Sequence, residues 1–180
     1  MKWKLLMLAV GVAFFAILFF PLQFYWLFWP HTLQDVIQQV FNSRENDYVI
    51  AYPQEVTAQV LHQNTGDGTT LDEYSKDAPV TLSLVQIRQL RALLQDPKSY
   101  HWGMGKTCNP DYGVLYHFRA QGHTIRVAVC FKCDVLGVFD GDDDHATRIN
   151  NQSLFTPMHA QLIAFTKTLF PDDKTIQALQ

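Results

Sequence analysis

The longest apolar stretch comes first: residues 5–29, 25 positions behind Met-Lys-Trp-Lys, contain no charged side chain. A hydrocarbon core about 30 Å thick takes about 20 helical residues at 1.5 Å each, so this pattern predicts a membrane-spanning anchor over residues 1–30. A cleaved signal peptide has an apolar stretch of only about 7–15 residues and a small-residue cleavage site. Here the stretch is longer and runs out in Phe24-Tyr25-Trp26-Leu27-Phe28-Trp29-Pro30. Lys2 and Lys4 precede the span, and residues 30–43 hold neither Lys nor Arg. The positive-inside rule then puts the N-terminus in the cytoplasm and residues 31–180 on the far side, with Trp3 at the inner boundary and Tyr25, Trp26 and Trp29 in the outer aromatic belt.

Beyond the anchor the period changes to that of amphipathic elements. Leu33, Val36, Ile37, Val40 and Phe41 fall at i, i+3, i+4, i+7 and i+8, one stripe of a helix over 32–42, with Thr32 and Asp35 placed as a capping box. This helix and a linker make a juxtamembrane segment, 31–47, ahead of an extracytoplasmic domain, 48–180. In that domain Val56, Ala58 and Val60 alternate with polar neighbours as a strand does. Ser83 and Gln86 cap a second helix that carries Leu84, Ile87, Leu90, Leu93 and Leu94 and stops before Pro97. Gln121-Gly122 sits between two alternating runs and predicts a hairpin. With Ala120 opposite His123, Phe118 pairs with Ile125, Tyr116 with Val127, Val114 with Val129 and Tyr112 with Phe131, all eight on one face. A third strand follows over Val135–Phe139. The closing helix starts at Thr156-Pro157, buries Met158, Leu162, Phe165 and Leu169, and ends at Pro171. The expected fold is α+β: a single transmembrane helix, then an antiparallel meander packed by helices on one face.

Charge narrows the partners. Lys and Arg number 14 against 17 Asp and Glu, a formal −3. No clustered basic footprint exists, so nucleic acid is not an expected partner. No nucleophile elbow, phosphate loop, zinc-protease helix or dinucleotide fingerprint is present, and no catalytic residues are expected.

The unusual chemistry is sulfur. Cys108, Cys130 and Cys133 lie within 26 residues, and the hairpin register brings Gly113 opposite Cys130, so Cys108 can curl back toward either member of the C-x-x-C. A disulfide from Cys108 to one of the pair suits an oxidising compartment and would add roughly 3 kcal/mol through loop closure. A zinc site needs a fourth ligand; His117 is about 13 Å from Cys130 at strand rise, His123 farther, which leaves His101 or a residue the pattern does not place. A thioredoxin-type site wants the C-x-x-C at a helix N-terminus, and here it interrupts strands. Asp134 stands where covalent haem attachment requires His.

Lys106-Thr107-Cys108-Asn109-Pro110, then Cys130-Phe131-Lys132-Cys133-Asp134-Val135-Leu136, then Leu169-Phe170-Pro171-Asp172-Asp173 resemble the K-x-C-x-P, C-F-x-C-D and F-P-D-D order of an uncharacterised family of bacterial exported or membrane-anchored proteins. The resemblance covers residues 80–180. It implies a bacterial chain carried behind a signal or lipid anchor, and implies no activity. With the uncut helix, the expected location is a bacterial inner membrane with the main domain in the periplasm.

Asp140, Asp142 and Asp144 form a D-x-D-x-D pattern, but a calcium loop needs Gly and Glu where His145 and Asn151 stand, so a solvated turn is expected. Tyr100, His101, Trp102 and Met104 lie in an aromatic, glycine-rich loop that either covers the core or meets a partner. The resulting functional expectation is a non-catalytic single-pass accessory or scaffold subunit of a larger integral membrane complex, respiratory or photosynthetic. Membrane lipid and other integral membrane subunits would be its partners. No cofactor is expected, zinc being the one metal the cysteines would suit. The alternative is an extracytoplasmic metal-binding or thiol-redox protein using Cys108, Cys130 and Cys133.

Overall fold

The computed structural model describes residues 31–64, 70–102, 108–149 and 153–180, and from Thr32 onward they belong to the unit Thr32–Gln180. Two short helices open it, α1 (Leu33–Gln39) and α2 (Arg44–Ala51). Asp35 closes the first turn of α1 by accepting from the Thr32 N–H at 2.6 Å and its hydroxyl at 3.0 Å. Asn42 turns the chain at φ +66°, a conformation that Asn tolerates better than most residues, and Ser43 caps α2 through the Asn46 N–H. The buried Asn46 amide donates back to the Phe41 carbonyl at 2.7 Å, which fixes the corner.

The strands are β1 (Glu55–Gln63), β2 (Tyr74–Lys76), β3 (Val80–Thr81), β4 (Val114–Ala120), β5 (His123–Cys130), β6 (Val135–Asp140) and β7 (Ser153–Leu154). They form one antiparallel sheet in the order β2-β1-β4-β5-β6-β7, with β3 also paired to β1. The helix α3 (Leu84–Gln95) crosses between β3 and β4, and α4 (His159–Leu169) and α5 (Lys174–Gln177) close the chain. The hairpin register is the one the sequence predicts: Ala120 faces His123, Phe118 faces Ile125, Tyr116 faces Val127 and Val114 faces Val129. Gln121 and Gly122 both take positive φ, +52° and +79°, the requirement of a two-residue turn that follows strand twist.

One sheet face packs under the helices, where Val56, Ala58, Tyr116, Phe118, Ile125, Val127 and Val138 meet Ile50, Leu90, Leu94, Leu162 and Phe165. The opposite face is buried too. Irregular chain around residues 71–73, 108–112 and 141–149 lies over it, making, with the strands, a second cluster of Leu61, Leu71, Tyr74, Tyr112, Leu115, Ala128, Cys130, Cys133, Val135, Phe139 and Leu154. Tyr112 therefore does not share a face with Phe131: the strand begins at Val114, and the alternation no longer binds a residue beyond its end.

Two expectations are corrected. Among the described residues no helix is long and apolar enough to cross a membrane. The longest, α3, has 12 residues and spans about 18 Å at 1.5 Å per residue, well short of a 30 Å core. The span expected over residues 1–30, with Trp3, Tyr25, Trp26 and Trp29, lies outside the described residues. The fold class is thus an antiparallel sheet with helices, α+β, with no membrane-crossing helix among the described residues. The inner-membrane localisation falls with the helix it required.

Candidate functional site

Of the three cysteines, Cys108 and Cys133 form the disulfide, with Cα atoms 6.4 Å apart and a sequence separation of 25. Cys130, the last residue of β5, is a fully buried free thiol opposite Val135. Burial pushes its thiol up, against the backbone amides of Cys133 and Asp111 that favour the thiolate. The C-x-x-C is therefore divided between a bridge and an inert thiol. His101, the candidate fourth ligand, instead bridges to Leu154 through its backbone. Among the described residues no group of three His, Cys, Asp or Glu is placed to hold a metal ion.

The bridge clamps a tyrosine-rich layer. Tyr74 donates its hydroxyl to the Pro110 carbonyl at 3.0 Å and accepts the Tyr112 N–H at 3.3 Å, which straps the segment after Cys108 to β2. Burial pushes the Tyr74 hydroxyl up to about 12. Tyr112 accepts from Arg148 Nη1 at 2.9 Å and lies over Gly137, where the Cβ of any other residue would overlap its hydroxyl. At the β5–β6 turn Asp134, at φ +57°, accepts from Thr156 and lies 2.5 Å from His159 Nδ1.

The acidic run is a tie point and not a free turn. Asp144 accepts from Arg126 Nη1 at 2.6 Å and from Lys76, while its backbone carbonyl accepts the N–H groups of Leu71 and Asp72. Burial raises the Asp144 carboxyl, but Lys76 and Arg126 outweigh it and hold the group below the usual range. Arg126 is fully buried, and its second nitrogen donates to the Asp143 carbonyl at 2.7 Å. Beside it across the β4–β5 ladder stands His117, which burial and the cations Arg126, Arg119 and Lys76 depress to about 4. Asp140 reaches His123, and Asp142 reaches Arg119.

The aromatic loop packs down. Tyr100 is buried and donates to the Leu94 carbonyl at 2.6 Å; Trp102 donates to the Pro97 carbonyl at 2.9 Å, and the two rings are 5.6 Å apart. His101 keeps an exposed side chain, and Met104 lies outside the described residues.

The exposed large hydrophobic residues among those described are Leu33, Tyr48, Tyr52, Val80, Leu84 and Val85, with Leu84 at 77% and Tyr52 at 65% exposure. Tyr48 and Tyr52 lie at the end of α2, and Leu84 and Val85 at the start of α3, the helix whose Arg91 reaches Tyr52. Tyr48 and Tyr52 are one helical turn apart with ring centroids at 5.1 Å. The Arg91 guanidinium lies 5.8 Å over the Tyr52 ring, and next to the β1–β3 pairing the Leu82 N–H donates to the Val56 carbonyl, four residues past Tyr52. Arg88 donates to the Leu84 carbonyl, and Gln121 donates to the Tyr48 hydroxyl at 3.2 Å. No ion pair joins Arg88 or Arg91 to a carboxylate among the described residues, and Arg91 Nε is buried with no hydrogen-bond partner. On the other flank of α3 a trough of about 520 Å³ runs between α3 and α4, lined by Gln89, Ala92, Leu93, Gln161, Ala164, Phe165 and Thr168.

None of these surface residues stands out in a sequence reading directed at membrane and sulfur chemistry. One signal was there: Leu84-Val85 adds two apolar residues at the head of α3, and only the residues from Ile87 onward face the core. The chain matches no protein-family profile, no curated protein and no solved structure.

Proposed function

We propose that this chain is a non-catalytic accessory module that braces a partner protein through the strip Gln121–Tyr48–Tyr52–Arg91–Arg88–Leu84–Val85. Support comes from one observation: a domain that buries both faces of its sheet leaves Tyr48, Tyr52, Leu84 and Val85 exposed on the two helices that carry or meet Arg88 and Arg91, which no carboxylate of the described chain neutralises. Tyr and Arg are the residues that most often anchor protein interfaces, because they combine broad contact area with directed polar atoms. The sulfur reading has less behind it. Two of its three atoms are spent on a bridge, and the third is buried with its ionisation suppressed.

Photo-crosslinking in the native host tests this, with a benzophenone side chain placed at Tyr52, at Leu84 and, as a control on the far edge, at Ser75. The expected result is one shared adduct from positions 52 and 84, absent from 75 and abolished by Arg91→Glu. Identical adducts from all three positions, or none from 52 and 84, would overturn it.

A further inference from the structure

A helix exposed to water ordinarily carries charge on its outer face; here the exposed positions of α4 carry none and those of α3 a single cation. Every exposed position of α4 is uncharged: Ala160, Gln161, Ala164 and Thr168. The crest of α3 alternates Val85, Gln89 and Ala92 with the single cation Arg88. Between these rows runs the trough, floored by Leu93 and Phe165 and rimmed by glutamines and a threonine that can hydrogen-bond but do not repel. Ala92 and Ala164 stand on opposite walls. Small side chains in those places allow another backbone to lie close, as in helix-in-groove recognition.

From this surface we infer a more specific occupant: an amphipathic helix of another protein, apolar on its docking face and acidic along the edge that passes Arg88. The inference rests on the accessory role proposed above and names the partner's form. An apolar stripe satisfies the trough, and an acidic edge satisfies Arg88, with Arg91 one turn behind it on the same side. A lysine-edged helix meets an unneutralised guanidinium and is rejected. A flat or extended partner would leave the trough unfilled.

The test is selection from a displayed library of amphipathic helices about 18 residues long, about five turns, against the full chain. The affinity of each recovered peptide is then measured by fluorescence anisotropy. Two surface variants report the geometry: Ala164→Trp fills the trough, and Arg88→Glu reverses the edge charge. Both positions are exposed, and each variant's melting curve is checked against the parent. Recovered peptides are expected to share an apolar i, i+3/i+4 stripe with Asp or Glu on one edge. They should bind the parent at least tenfold tighter than either variant, and lysine-edged versions should bind Arg88→Glu better than the parent. Recovery of no binder, of binders without the stripe or the acidic edge, or of binders indifferent to Ala164→Trp overturns the inference. Adducts at Tyr52 and Leu84 that persist in such a case leave the accessory role standing, so the two failures are told apart.

Discussion

A methyl group at position 137 has no room. The Cβ it would bring lies 2.7 Å from Tyr112 Cζ and overlaps the hydroxyl, and the Tyr112 ring is held from behind by Tyr74 at 5.8 Å and Phe139 at 6.1 Å. Gly137→Ala is expected to destabilise by about 1–3 kcal/mol, the range of overpacked interiors, measured as the shift of the urea midpoint. In a Tyr112→Leu background the same change should cost clearly less, because the obstructing ring is gone. His117 gives a pH-dependent counterpart. Its folded value of about 4 lies below the ordinary 6.5, so the folded chain prefers the neutral ring. Stability is fully present above pH 6.5 and falls as pH drops from 6.5 toward 4, by roughly 3 kcal/mol at most. His117→Gln should flatten that segment of the stability–pH curve while leaving the loss driven by Asp144 at lower pH in place. Equal slopes for variant and parent between pH 6.5 and 4.5 would contradict the assignment.

At the scale of elements, α3 separates what holds the fold from what faces outward. Ser83 accepts the Gln86 N–H, and the Gln86 side chain returns to the Ser83 N–H at 2.8 Å. Ser83→Ala is expected to cost about 1 kcal/mol by denaturant titration. Val85→Ser, half a turn away on the exposed crest, should stay within about 0.5 kcal/mol of the parent. The elements legible in the sequence are those with enough turns or rungs to express a period: α1, α3, α4, β1 and the β4–β5–β6 meander. Their caps and the Gln121-Gly122 turn fixed ends and register. What stayed hidden is short. The strands β2, β3 and β7 have two or three residues and no alternation to read, and α2 spans two turns in which Tyr48 and Tyr52 face out while Val49 and Ile50 face in. The contact strip depends on α2 and so was not visible either. The cysteines were legible as a cluster, but their pairing depends on how residues 108–112 cross β5, and that path is set by Tyr74, Tyr112 and Arg148, far apart in sequence.

For the whole molecule, the sheet divides two unlike layers. Helices supply one; irregular chain supplies the other, and there the disulfide does what helical hydrogen bonds do opposite. Closing 25 residues of chain should contribute roughly 3 kcal/mol. Reduction, or Cys108→Ser with Cys133→Ser, is therefore expected to lower the melting temperature while far-ultraviolet dichroism of the folded state stays nearly unchanged. Cys130 should resist a thiol reagent in the oxidised native protein and react once denaturant is added, since only thiolate attacks and burial suppresses it. Rapid labelling of the native chain would refute that placement.

Asp144 sets an order on the birth of this layer. It moors Lys76 and Arg126, and through its carbonyl the backbone at Leu71 and Asp72, yet it is made 68 residues after Lys76. At ribosomal speeds of about 5–20 residues per second, the far face of β1 stays uncovered for roughly 3–14 s while the nascent chain lengthens. During that interval Leu61 and Tyr74 stand open to chaperones or to a neighbouring nascent chain. A ribosome stalled shortly before codon 144 would display the hazard at its greatest.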